Sequence, residues 1–132
     1  MKKKKSTTKL VISIVLDVIL VLMVLYIGAT IYLRNTTGNP HASLFGFTTH
    51  VVTSDSMQPT IDPGDILFVK ECDDYAIGDI IVYVRDDGMS IVHRIISIDF
   101  GGYKTKGDNN GEEDKWTVRT DQVVGKVIHI FG

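Results

Sequence analysis

The residues from Thr53 to Thr60 read TSDSMQPT, two hydroxyls one residue apart ahead of a methionine and a proline. A serine hydroxyl is a weak nucleophile at neutral pH, so serine chemistry requires a base within hydrogen-bond reach and donors for the oxyanion that forms. Read as a strand, HVVTSDSM puts Ser54 and Ser56 on one face, because side chains alternate with period two. If Ser56 attacked a carbonyl, its own backbone N–H and the Ser54 hydroxyl would together point at the developing charge. Taken alone, the octapeptide is more simply a solvated serine-rich turn running into Met57 and Pro59.

The candidate bases are His41, His50, His93 and His129. In SIVHRIISI, His93 shares a strand face with Ile91 and Ile95, while Arg94 points the other way. An imidazole on an apolar, half-buried face can accept a serine proton near neutral pH, since its unperturbed value of about 6.5 needs little adjustment. A lone histidine in such a place is more often a satisfied core residue. A third stretch, TKGDNNGEED at 105–114, carries Asp108, Glu112, Glu113 and Asp114 on a glycine-rich loop after a strand. From there a carboxylate can fix the tautomer of a histidine and stabilise its charged form. The loop lacks the alternating acids and closing glutamate of a calcium site, and by itself is an ordinary solvated acidic turn.

These groups must be positioned by 132 residues, room for one domain, of which 44% are hydrophobic. Many of those sit between Leu10 and Leu33, a run with the single charge Asp17 that as a helix reaches about 36 Å, enough to span a bilayer with some tilt. It is longer than a signal-peptide core and passes into Arg34, Asn35 and Thr36 without a small-residue cleavage site, so it is expected to be an uncleaved anchor. MKKKK and Lys9 precede the run and only Arg34 directly follows it, which predicts a cytoplasmic tail at 1–9 and export of the rest. Asp17 is costly facing lipid; it lies near enough to the cytoplasmic side to draw in water, or else faces a partner helix or a polar substrate group.

Residues 34–49 read as a connector, from which Leu44, Phe45 and Phe47 could rest on lipid, and 50–132 as an extracytoplasmic β domain. Short β-type runs lie at 50–52, 65–70, 79–85, 90–99, 103–106 and 122–131. The turn signals Pro63-Gly64, Ile77-Gly78, Asp86-Asp87-Gly88 and Gly101-Gly102 separate them. The pattern predicts a compact, mostly antiparallel β domain behind one N-terminal transmembrane helix. Gly64-Asp65-Ile66 and Gly78-Asp79-Ile80 echo each other as similar lead-ins to strands. Cys72 is the only cysteine, which excludes an internal disulfide and reads as a small hydrophobe. A formal charge of −2, with no basic stretch beyond the tail, makes nucleic acid a poor partner.

In this order behind an anchor, SDSMQPTIDPGD, GDIIVYV, IVHRI and TKGDNN followed by Asp114 resemble the type I signal peptidases. The likeness is to the endoplasmic-reticulum and archaeal type, peptidase family S26, and covers roughly residues 10–130. In the more widespread bacterial type a lysine serves as base where this sequence has His93. The resemblance implies the family's β fold, with Ser56 as nucleophile, His93 as general base and Asp114 as the acid that orients it. Asp108 is a second important carboxylate, and Ser54 joins the Ser56 N–H in the oxyanion hole. The family often has glycine where this sequence has Asp55, whose side chain would crowd or charge the edge of the cleft. Many bacterial relatives of this type also carry a second apolar span after the β domain.

The implied substrates are signal peptides of exported preproteins, with small side chains at the first and third positions before the cut. Membrane lipid and partner membrane subunits are the other expected partners, and no metal or organic cofactor is needed. The alternative is a non-catalytic, membrane-anchored β module that binds peptides or a partner subunit, which would not need Ser56, His93 and Asp114 at once. A self-cleaving serine protease paired with DNA-binding regulators conflicts with the apolar span and the absent lysine.

Overall fold

A computed structural model of the chain describes residues 7–37 and 43–132. The lysines of MKKKK and the candidate base His41 lie outside the described residues. The chain divides into two compact units, one ending at Leu44 and one running from Phe45 to Gly132. In the first, a single helix, α1 (Thr7–Thr37), takes in the apolar run and extends beyond both its ends. It is long and apolar enough to cross a membrane, and its large apolar side chains are exposed along most of its length. The residues Arg34 to Thr37, read from sequence as connector, continue this helix. There the hydroxyls of Thr36 and Thr37 donate back to the carbonyls of Tyr32 and Leu33, both at 2.6 Å, so these polar side chains find acceptors within the helix they prolong.

The second unit is a mostly antiparallel β structure, as the run spacing predicts. Its strands are β1 (Phe47–Val51), β2 (Ile66–Lys70), β3 (Ile80–Val84), β4 (Ser90–Asp99), β5 (Gly102–Lys106) and β6 (Val123–Phe131). They form one sheet in the order β1-β2-β6-β3-β4-β5, and neighbours pair antiparallel. β1 begins three residues before the expected run, at Phe47, whose ring stacks on Phe68 of β2 with centroids 5.3 Å apart.

β3 explains the middle of the sheet. Its sequence IIVYV is an unbroken apolar run, and both faces of the strand are covered. Val82 joins Val52, Met57, Ile61, Leu67, Val69 and Val92 on one side. Ile81 and Tyr83 join Tyr75, Ile95, Tyr103 and Val118 on the other. The first cluster holds the turn after β1 and the second holds the segment after β5, so each carries one part of the candidate chemistry. Cys72 packs partly buried against the second cluster.

The two Gly-Asp-Ile echoes are one turn used twice. In Asp62-Pro63-Gly64-Asp65, the Asp65 N–H donates to the Asp62 carbonyl at 3.1 Å and the Asp62 N–H to the Asp65 carboxylate at 2.9 Å. In Ala76-Ile77-Gly78-Asp79 the same bonds measure 3.1 and 3.0 Å. Gly64 and Gly78 have φ of 98° and 95°, which a side chain disfavours, and β2 and β3 each begin one residue after the aspartate.

β6 threads between β2 and β3 and comes close to the former. A Cβ at Gly125 would lie 2.6 Å from the Lys70 carbonyl oxygen and 2.8 Å from the Val69 side chain. Gly125→Ala must therefore push β2 and β6 apart where backbone, not a flexible side chain, blocks it. We expect a loss of about 1–3 kcal/mol in urea unfolding, and an unchanged midpoint would contradict this packing.

Candidate active site

Ser54 and Ser56 are not on a strand, contrary to the alternation read from sequence: β1 ends at Val51 and both serines lie in the loop that follows. The loop is held by its own turns and by the core. Gln58 N–H donates to Asp55 O at 3.1 Å, and Thr60 and Ile61 N–H donate to Met57 O at 2.9 and 3.1 Å. Met57 and Ile61 are almost wholly buried, so they fasten the loop to the first cluster while Ser54 and Asp55 stay exposed. The hydroxyls still meet, with Ser54 Oγ 3.2 Å from Ser56 Oγ.

His93 stands on β4, its strand partner Ile81 on β3, and only 6% of it is exposed. Its Nε2 is 3.2 Å from Ser56 Oγ, and its Nδ1 is 2.6 Å from Asp114 Oδ2. With Nδ1 protonated and its N–H donating to the carboxylate, Nε2 is left free to accept from the serine. Asp114 is 7% exposed and is carried back to β5 by its N–H, which donates to the Thr105 carbonyl at 2.8 Å. Its Oδ2 also accepts from Thr105 Oγ1 at 2.6 Å and from Tyr83 OH at 3.2 Å, while Trp116 Nε1 donates to Tyr83 OH at 3.1 Å. Burial pushes this carboxyl up, yet the bonds from His93, Thr105 and Tyr83 outweigh it and hold Asp114 below the ordinary carboxylate range. Burial raises the Tyr83 phenol to about 12, so it stays protonated and able to donate.

Asp108 is engaged elsewhere. Its carboxylate accepts from Arg94 Nε at 2.9 Å, Arg94 Nη2 at 2.7 Å and Thr60 Oγ1 at 2.6 Å, and Arg94 Nη1 also donates to Gly78 O at 2.8 Å. The two Arg94 bonds keep Asp108 below the ordinary carboxylate range despite partial burial. Asp108 therefore braces the loop after β5 against the serine turn and β4, whereas Asp114 is the carboxylate on His93. Asn109 N–H donates to Ser56 O at 2.9 Å, and a Cβ on Gly107 would come 2.6 Å from that same oxygen, so glycine permits this close approach.

The serine, the imidazole and Asn110 open on a cleft of about 320 Å³, lined also by His50, Val52 and Met89. Of the other candidate histidines, His50 lines this cleft from β1, and His129 on β6 packs edge-on against Phe131. Glu112 and Glu113 are exposed. Tyr83, Thr105, Arg94 and Asn109 were not singled out by sequence. Tyr83 did leave a trace, since a phenol in the otherwise apolar strand IIVYV signals a buried polar group in need of a partner. No group of acids, histidines and cysteine suited to a metal ion occurs among the described residues.

A family model described as Peptidase S24-like matches residues 26–128. The chain is 34% identical over 122 residues to signal peptidase I W of Bacillus subtilis, covering 87% of this chain and 63% of that protein. It is 43% identical over 70 residues to the signal peptidase complex catalytic subunit SEC11 of Clavispora lusitaniae, 48% of this chain and 42% of that one. To the SEC11 of Debaryomyces hansenii it is 39% identical over 71 residues, again 48% and 42%. The resemblance to signal peptidases carried by the serine, histidine and acidic stretches is thereby borne out. The chain spans less than two thirds of the length of these relatives.

Asp108 and Asp114 both bind their protons less tightly in the folded chain than an ordinary carboxyl does. Their stabilisation is complete above the unfolded value of about 4 and is lost as pH falls through the lower folded values. Denaturant midpoints should thus hold steady down to about pH 5 and decline below it. Asp108→Asn should lower the neutral plateau and flatten the acid decline; an acid decline as steep as in the wild type would contradict the Arg94–Asp108 pairing.

Proposed function

Because this chain belongs to the Peptidase S24-like family, we propose that it is a membrane-anchored serine endopeptidase that removes N-terminal signal peptides from exported preproteins. The observation that carries the proposal is the continuous line from Ser56 Oγ through both nitrogens of His93 to Asp114 Oδ2, with separations of 3.2 and 2.6 Å. A binding module has no use for a serine, an imidazole and a buried carboxylate joined in this way.

In this mechanism Ser56 Oγ attacks the scissile carbonyl carbon while His93 Nε2 takes its proton. The carbonyl oxygen becomes an oxyanion held by the Ser56 N–H and the Ser54 hydroxyl. Its collapse breaks the C–N bond, and His93 returns the proton to the departing amine. A water then gives a proton to His93 and attacks the acyl ester; collapse breaks the ester C–O bond, His93 returns that proton to Ser56 Oγ, and the signal peptide leaves with a free carboxyl end. Asp114 stays ionised throughout, fixes the ring tautomer and offsets the positive charge that the ring carries in each half.

The substrate would lie extended beside β1, an edge strand that leads into the serine loop, using backbone hydrogen bonds for affinity and the cleft for its side chains. Small residues at the first and third positions before the cut suit shallow pockets. Helix α1, inserted with its N-terminus in the cytoplasm, would confine enzyme and preprotein to one membrane and replace a search in volume by a search in a plane. The wider partners are lipid and other membrane subunits.

Ser56→Ala and His93→Ala should each reduce cleavage of a preprotein by the detergent-purified chain at least ~10,000-fold; thermal unfolding should stay near native in Ser56→Ala and fall in His93→Ala, which takes a donor from the buried Asp114 carboxylate. Turnover retained in Ser56→Ala would rule out the mechanism. His93→Lys should remain inactive, because a lysine needs a desolvating pocket to be neutral at pH 7 and reaches the serine along a different path.

A further inference from the structure

The oxyanion donor proposed above is the N–H of Ser56, and that N–H belongs to the same planar unit as the carbonyl of Asp55. In a trans peptide the C=O and N–H point in opposite directions, so whatever holds the oxygen also aims the hydrogen. The Asp55 oxygen has two donors. One is the Gln58 N–H at 3.1 Å, which is part of the same turn and moves with it. The other is the side-chain amide of Asn109, Nδ2 to O 3.1 Å, which arrives from the loop after β5. Asn109 also gives its own N–H to the Ser56 carbonyl at 2.9 Å.

One residue thus holds the carbonyls on both sides of the Ser56 Cα. It is itself fixed, since the preceding Asp108 is locked by Arg94 and Thr60, and Gly107 lies against the Ser56 carbonyl without a Cβ in the way. We propose that Asn109 is a positioning residue whose side-chain amide aims the Ser56 N–H at the oxyanion. A donor on a peptide carbonyl also polarises the amide, so the N–H at its far end becomes a better donor. The inference rests on the peptidase reading and adds to it a residue that touches neither substrate nor His93.

Asn109→Asp keeps the shape and the backbone bond to Ser56 but replaces the amide donor by an acceptor facing the Asp55 carbonyl. Asn109→Ala removes the donor without repulsion. Because Asn109 is exposed, both variants should fold, as thermal unfolding will report. Using the full chain in detergent and a signal-peptide substrate, kcat should fall roughly 10- to 100-fold, more in Asn109→Asp, with KM within about twofold. Inhibition by a peptide aldehyde, whose adduct with Ser56 carries the tetrahedral oxygen, should weaken by a similar factor. Binding of an uncleavable peptide to the same variants should be unchanged. A kcat within about twofold of wild type in both variants, or a loss confined to KM with aldehyde affinity intact, overturns the inference while leaving the peptidase reading in place. A wild-type chain that cleaves no signal peptide and forms no aldehyde adduct overturns both.

Discussion

One carboxylate oxygen, Asp114 Oδ2, takes hydrogen bonds from side chains on three neighbouring strands: Tyr83 on β3, His93 on β4 and Thr105 on β5. A buried charge is destabilising unless it is paired and bonded, so this oxygen is tolerable only when those strands are in register. The converse also holds. With the acceptor occupied on one side by a hydroxyl and a phenol that cannot leave, the imidazole ring has one orientation that completes the set, and in that orientation Nε2 faces Ser56. The geometry of the serine contact is therefore set by donors that lie behind the histidine, out of reach of a substrate.

The loop from Thr105 to Asp114 links the two halves of this arrangement. Its final residue bonds the His93 ring, and its central residues bear on the backbone of the serine turn through Asn109, Gly107 and the Arg94–Asp108 pair. Two aspartates six residues apart consequently have separate tasks. Asp114 is buried and answers to the ring, while Asp108 is partly open and answers to a guanidinium. The acidic loop looks uniform as a string of letters, but the protein makes it a strap whose two ends meet at β5 and whose middle bears on the serine turn.

Strand positions were legible because period-two alternation and positive-φ glycines are local properties. Pro63-Gly64 and Ile77-Gly78 announce the chain reversals, and IIVYV announces a strand covered on both faces. The serine turn was less legible: Ser54 and Ser56 do face one another, but through a loop pinned by Met57 and Ile61 and not through the alternation of a strand. Ser56, His93 and Asp114 could be picked out by residue type, and Asp108 beside them, yet which aspartate meets the ring depends on how far a glycine-rich loop folds back. That is fixed by the Thr105–Asp114 backbone bond and by the reach of Arg94, neither of which has a one-dimensional signature. Asn109 escaped notice for a similar reason, since its work is on main-chain atoms far away in sequence.

The placement of β6 bears on how the protein comes to life. Ser56 follows β1 in the β1-β2 pair, His93 sits in the β3-β4-β5 meander, and the backbone ladder joins the two groups through β6, the strand made last. During synthesis the alcohol and the imidazole thus emerge on sub-assemblies that lack their common seam, and such distant pairings form late. A ribosome-bound chain at that stage already carries Ser56 and His93 but lacks the strand that ties their two halves of the sheet together.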